Sequence, residues 1–206
     1  MAGSGPGTVV WHENTVSRAE RERITRARGT TVWLTGLPSS GKSTVACALA
    51  RALQDRGVLS VILDGDNIRH GLNSNLGFSP EDRTENIRRI SEVAKLLTSF
   101  GMVNVVAFIS PYAADRLRAR EIQEEGDFLE VFVDVPLEVA ESRDPKGMYR
   151  KAREGIIREF TGISAPYEAP VSPDIHLRTD RMSAGECAAE IMERLAALGR
   201  LLPGDD

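Results

Sequence analysis

Only two cysteines, three histidines and four lysines occur among the 206 residues of this chain. Cys47 and Cys187 are too few for a disulfide framework or a zinc cluster. Both fall in patterns of helical period, where a small buried thiol is the expected role. No apolar run approaches the roughly 18–20 residues that a membrane span needs, so no membrane partner is expected. The first residues lack a basic segment followed by an apolar stretch, so no secretory signal is read and the cytoplasm is the expected compartment. A basic excess is absent too: 26 Lys and Arg face 30 Asp and Glu, a net charge of −4. That balance excludes a chain-wide nucleic-acid footprint. What remains is a 41% hydrophobic chain long enough for one domain with its own core. The lysine shortage makes 22 of the 26 cations arginine. Base composition can produce that bias, yet arginine also suits bidentate grip on phosphate or sulfate.

Residues 1–29 are Gly-rich, then polar and charged, and read as an N-terminal arm ahead of a domain at 30–206. Within the arm, Val9-Val10-Trp11 is a short apolar patch: either part of a flexible tail or a segment that docks on this subunit or a neighbour. From Thr30 the chain alternates. Strand-like runs at 31–34, 58–63, 103–109, 128–135 and, more weakly, 175–177 are separated by helix-like stretches. Ser79-Pro80 opens one helix as N-cap and first-turn proline. Its Ile87, Ile90, Val93, Ala94, Leu97 and Phe100 fall on one face. Ser183 and Glu186 form a capping-box pattern before the last helix. The alternation predicts an α/β domain around a parallel sheet.

Gly36-Leu37-Pro38-Ser39-Ser40-Gly41-Lys42-Ser43 fits G-x-x-x-x-G-K-[ST] at every fixed position, after a strand and before a helix. Backbone N–H groups of such a loop point at an anion. Lys42 would reach the β- and γ-phosphates, and the Ser43 hydroxyl would ligate Mg²⁺. The next strand ends in Asp64-Gly65-Asp66. A carboxylate there stands where a base or a metal partner belongs, though aspartates at that point also simply make turns. A polar set follows: Asn67, Arg69, His70, Asn73, Arg83, Asn86, Arg88 and Arg89. Arg83 and Asn86 share a helix face and, with Arg69, could bind a second anion. Arg88 and Arg89 read better as a solvated face.

The runs at 63–72 and 76–90, together with 108–112, 144–149 and 160–163, resemble the adenylylsulfate kinase (APS kinase) family. The likeness extends from about Val9 to the last helix and takes in the phosphate loop. It implies a P-loop NTPase fold of the nucleoside-monophosphate-kinase type, with a five-stranded parallel sheet flanked by helices. It also implies phosphorylation of the 3′-hydroxyl of adenosine 5′-phosphosulfate (APS) by ATP and Mg²⁺, giving PAPS and ADP, in a stand-alone kinase without a fused sulfurylase portion.

Carried onto this sequence, the resemblance gives Gly36 to Ser43 and Thr44 the ATP phosphates, and puts Arg143 against the ATP adenine. Asp64 resembles the base for the acceptor hydroxyl, with Asp66 beside it. Arg69, Arg83 and Asn86 resemble the groups that hold the phosphosulfate, while Phe78 and Phe160 would sandwich its adenine. Ile109 and Ser110 fall on the same pocket. Ser110 also resembles a serine described in the family as a phosphoserine intermediate; direct attack meets the needs of phosphoryl transfer without it. Lys146, Arg150 and Arg153 resemble a mobile lid that neutralises charge and excludes water. The family is commonly dimeric, and the Val9-Val10-Trp11 patch is the candidate interface. At positions 38 and 39 many members carry Ser-Gly where this chain has Pro38-Ser39. Two other readings exist: a non-catalytic PAPS-binding module, against which Lys42, Ser43 and Asp64 argue, and a P-loop kinase for another acceptor, against which the two phenylalanines argue.

Overall fold

The computed structural model describes residues 10, 12 and 14–202. The Val9 and Trp11 positions of the apolar patch lie outside them. In chain order the elements are α1 (Arg18–Thr25), β1 (Thr30–Thr35), α2 (Lys42–Asp55), β2 (Ser60–Asp64), α3 (Gly65–Ile68), α4 (Pro80–Ser99) and β3 (Val103–Ala107). They continue with α5 (Ala113–Glu121), β4 (Phe128–Asp134), α6 (Leu137–Arg143), α7 (Met148–Arg153), β5 (Ile175–Arg178) and α8 (Ala184–Ala197).

The five strands form one parallel sheet in the order β2-β3-β1-β4-β5. β1 is central and buried at all six residues. Its alternation feeds two cores. Val32 and Leu34 pack with Val45, Leu49 and Leu53 of α2 and Ile191 and Leu195 of α8. Trp33 points the other way, among Ile87, Ile90 and Ala94 of α4 and Ala119 of α5. Burial on both faces explains why β1 reads as a continuous apolar run. The C-terminal ends of β1, β2, β3 and β4 open on one edge. There the chain order reverses about β1, the place where open α/β sheets bind ligands. Among the described residues no helix is long and apolar enough to cross a membrane.

The segment read as an arm is structured from Ser17 onward. Ser17 and Glu20 close a reciprocal capping box at the start of α1. Arg18 then reaches across to Asp127, at 2.6 and 3.0 Å, and Arg200 binds the same carboxylate at 2.9 Å. Asp127 raises the Arg18 pKa further above its ordinary value, against the opposing effect of burial. Ala27 is fully buried in the core, and the Thr25 hydroxyl donates to the Gly101 carbonyl at 2.5 Å. Residues 17–29 therefore belong to the packed body of the domain.

Candidate active site

The loop between β1 and α2 is built around two glycines. A Cβ on Gly36 would lie 2.3 Å from the Val133 carbonyl oxygen, so the loop can leave the sheet here only without a side chain. Gly41 has φ 98° and caps α2 with no side-chain hydrogen bond. The first N–H groups of α2 are left for a ligand, and the helix dipole favours an anion. Thr44 is exposed in the first turn of α2. Lys42 is nearly buried, and its Nζ donates to the Gly36 and Leu37 carbonyls at 2.9 and 2.6 Å. Burial pushes its pKa down to about 7, while the charges of Asp64 and Asp66 oppose that shift.

Asp64 ends β2 and caps α3, accepting from the Asp66 N–H at 2.9 Å through Oδ1. Its other oxygen accepts from the Ser43 hydroxyl at 2.7 Å. One carboxylate is thus aimed at the phosphate loop while anchoring the turn that carries Asp66 and Arg69. The hydroxyl fits Mg²⁺, a hard cation that keeps several water and phosphate ligands and needs few from the protein. Among the described residues no cluster of three His, Cys, Asp or Glu side chains could hold a metal. A divalent ion at the Ser43 hydroxyl would therefore complete its shell with phosphate and water oxygens.

Beyond α3, the Arg69 guanidinium lies 4.3 Å from the Phe78 ring centre and donates to the Leu76 and Gly77 carbonyls. Burial and then the charge of Arg83 lower the Arg69 pKa, the mark of two cations converging on one place. Arg83 donates to the Phe78 carbonyl at 2.8 Å, to the Thr161 hydroxyl at 2.5 Å and to the Glu159 carbonyl. A single guanidinium so ties together the two chain segments that carry Phe78 and Phe160. The two rings differ in setting. Phe78 is 63% exposed, whereas Phe160 is 8% exposed and turned into a cluster with Tyr149, edge to face at 4.9 Å. Asn86 is buried on the same face of α4 as Arg83.

Ser110 lies just past the end of β3 beside Thr35, whose hydroxyl also reaches the Ser110 carbonyl at 3.5 Å. It is 1% exposed, and its hydroxyl accepts from the Trp33 indole N–H at 3.1 Å. Its φ of 41° lies in the left-handed region that serine seldom adopts. Ile109 is half-buried, and its carbonyl accepts from the Thr35 hydroxyl at 2.8 Å.

Two of the three cations expected to form a lid are engaged within the protein. Lys146 pairs with Asp66, and Arg153 pairs with Glu141. Arg150 is exposed and makes no ion pair among the described residues. Arg143 donates to the hydroxyl and carbonyl of Thr179, whose hydroxyl in turn donates to the Ser40 carbonyl at 2.7 Å.

Sequence reasoning passed over Tyr149, Thr161 and Thr179. The Tyr149 hydroxyl donates to the Pro38 carbonyl at 2.9 Å, joining α7 to the phosphate loop. Each of these contacts crosses more than 70 residues of chain, and no local pattern marks them.

The Adenylylsulphate kinase family profile matches residues 28–178. The chain belongs to the adenylylsulphate kinase family. It is 59% identical over 189 residues to an adenylyl-sulfate kinase of Saccharomyces bayanus, covering 91% of this chain and 93% of that one. The Mycobacterium tuberculosis APS kinase in complex with AMPPNP and APS superposes with a TM-score of 0.79 at 51% identity, over 82% of this chain and 99% of that one. A hexameric APS kinase from Thiobacillus denitrificans matches with a TM-score of 0.66 at 31% identity, over 91% of this chain and 33% of that one. The parallel five-stranded sheet and the loop at Gly36–Ser43 are thus the sheet and phosphate loop of an adenylylsulphate kinase family member.

Proposed function

We propose that this protein transfers the γ-phosphoryl group of ATP to the 3′-hydroxyl of adenosine 5′-phosphosulfate, producing PAPS and ADP. The observation that carries this reading is the Asp64 carboxylate. It meets Ser43 of the phosphate loop through one oxygen and anchors the Arg69-bearing turn through the other. Donor and acceptor sites therefore share one group able to take a proton.

The ATP phosphates settle on the open N–H groups of the Gly36–Ser43 loop and of Thr44. Arriving phosphate oxygens replace the carbonyls as partners of Lys42 and favour its charged form. Arg143, held beside the loop through Thr179, borders the nucleotide base. The phosphosulfate lies against Arg69, Arg83 and Asn86, with its adenine against the exposed Phe78; Phe160 must turn out of the lid cluster to cover the other face. The 3′-oxygen attacks the γ-phosphorus in line. A new P–O bond forms, the bond to the β-phosphate oxygen breaks, ADP leaves with its electron pair, and the hydroxyl proton passes to Asp64. Charge on the equatorial oxygens is offset by Lys42 and, once released from Asp66 and Glu141, by Lys146 and Arg153, together with Arg150. Ser43 would hold Mg²⁺, which when bound neutralises phosphate charge, and Asp64 is left to take the proton. Ser110, its hydroxyl occupied by Trp33, forms the wall and not a phosphoenzyme. A homodimer in the cytoplasm, where ATP is at hand, completes the reading.

Purified protein given APS, γ-labelled ATP and Mg²⁺ should form labelled PAPS, and a chelator should stop it. Tight binding of PAPS without any turnover would overturn the assignment in favour of a binding module.

A further inference from the structure

Asn73 lies between α3 and α4, and no solvent reaches it. Its main chain is fully engaged: its N–H donates to the Ile68 carbonyl at 3.1 Å, and its carbonyl accepts from the Leu76 N–H at 3.1 Å. The side chain makes one hydrogen bond, with Nδ2 donating to Asn86 Oδ1 at 2.8 Å. Its own Oδ1 is buried without a partner among the described residues. A buried amide carbonyl left unpaired costs free energy that an apolar side chain of similar size would avoid. Backbone bonds and the Arg69 and Arg89 side chains shape the loop, and none of them uses the Asn73 amide. Neither packing nor the turn accounts for an amide here.

What the amide supplies is the direction of Asn86. That side chain is a plane with an acceptor at one end and a donor at the other. With Oδ1 tied to Asn73, its Nδ2 has no hydrogen-bond partner among the described residues and, unlike Asn73 Oδ1, is not shut off from solvent. Asn86 sits three residues after Arg83 on α4, so the two share a face. A free N–H donor on the face that carries Arg83 attracts anionic oxygens, whereas a carbonyl in the same place would repel them.

We propose that Asn73 is a positioning residue for the acceptor. It holds the Asn86 amide so that the NH₂ group, and not the carbonyl, meets the anionic substrate. The inference rests on the reading of Asn86 as part of the APS site.

A double-mutant cycle on the full chain tests it. Initial rates of PAPS formation are measured against APS at saturating ATP, and against ATP at saturating APS. Asn73→Ala and Asn86→Ala should each raise KM for APS by about tenfold, the loss expected for one hydrogen bond to an anion. KM for ATP should stay within about twofold, and the double variant should resemble Asn86→Ala alone, because Asn73 acts only through Asn86. Asn73→Asp keeps the size of the side chain and carries the test should the alanine variant fail to fold. Its carboxylate accepts from Asn86 Nδ2, turns the carbonyl outward and should raise KM for APS beyond the alanine variant. Effects that multiply in the double variant, or an equal rise in KM for ATP, would make Asn73 a structural residue and overturn the inference. A wild-type chain that turns APS over while the cycle multiplies fails this inference only. A wild-type chain that does not phosphorylate APS fails the functional reading and this inference with it.

Discussion

The Ser43 hydroxyl donates to Asp64 Oδ2 at 2.7 Å, joining the first turn of α2 to the end of β2. This bond joins the phosphate loop to the turn that carries Asp66 and Arg69. Asp64→Asn should leave the fold and both KM values nearly unchanged but lower kcat by about 10²–10⁴-fold, the range of general-base contributions. Steady-state PAPS formation measures it; a loss smaller than about fivefold would remove Asp64 from proton transfer.

Lys42 carries a pKa near 7 because it is buried. The unfolded chain keeps its ordinary value of 10.5, so between about 7 and 10.5 the unfolded state binds the extra proton and Lys42 makes stability rise with pH. ATP reverses the preference by favouring the ammonium. At pH 8 nucleotide binding should therefore take up a proton, with affinity falling by up to about tenfold per pH unit above 7. Calorimetry in buffers of different ionisation enthalpy reads the uptake, and Lys42→Met should abolish it along with transfer.

Tyr149→Phe removes only the hydroxyl that binds the Pro38 carbonyl. The loss of one partly buried hydrogen bond is worth about 0.5–1.5 kcal/mol. KM for ATP should rise a few-fold, about 2- to 10-fold by that energy, with KM for APS unchanged. Equal changes in both constants would show that the contact does not act on the phosphate loop.

Ser110→Ala should remain an active enzyme and lose stability instead. The change leaves the buried Trp33 N–H without its acceptor, a penalty of about 1–3 kcal/mol seen as a lower denaturation midpoint. Inactivity of a well-folded Ser110→Ala protein would restore a covalent role to this serine.

Much of this site was legible in the sequence because its signals are local. The spacing from Gly36 to Ser43 locates the phosphate loop, and Ser79 and Ser183 mark helix starts that the structure bears out. The alternation of short apolar runs gives the parallel sheet. α1 escaped because it is mostly charged and buries only Thr25, so no apolar period marks it. It is held by Arg18 on Asp127, 109 residues away, although the Ser17–Glu20 capping pair was there to be read. Asp127→Ala leaves Arg18 and Arg200 without their shared buried carboxylate and should cost roughly 2–3 kcal/mol, below the ~3–5 of a fully buried pair because Arg18 is partly exposed. The orientation of Phe160 could not be read either, since edge contact with Tyr149 depends on how α7 closes.

The stereochemical course at phosphorus separates one displacement from two. ATP carrying a γ-phosphate made chiral with oxygen isotopes is turned over with APS, and the configuration in PAPS is determined. Direct in-line transfer to the 3′-hydroxyl predicts inversion. Retention, which two successive displacements through an enzyme group would give, or the absence of PAPS altogether, would contradict it.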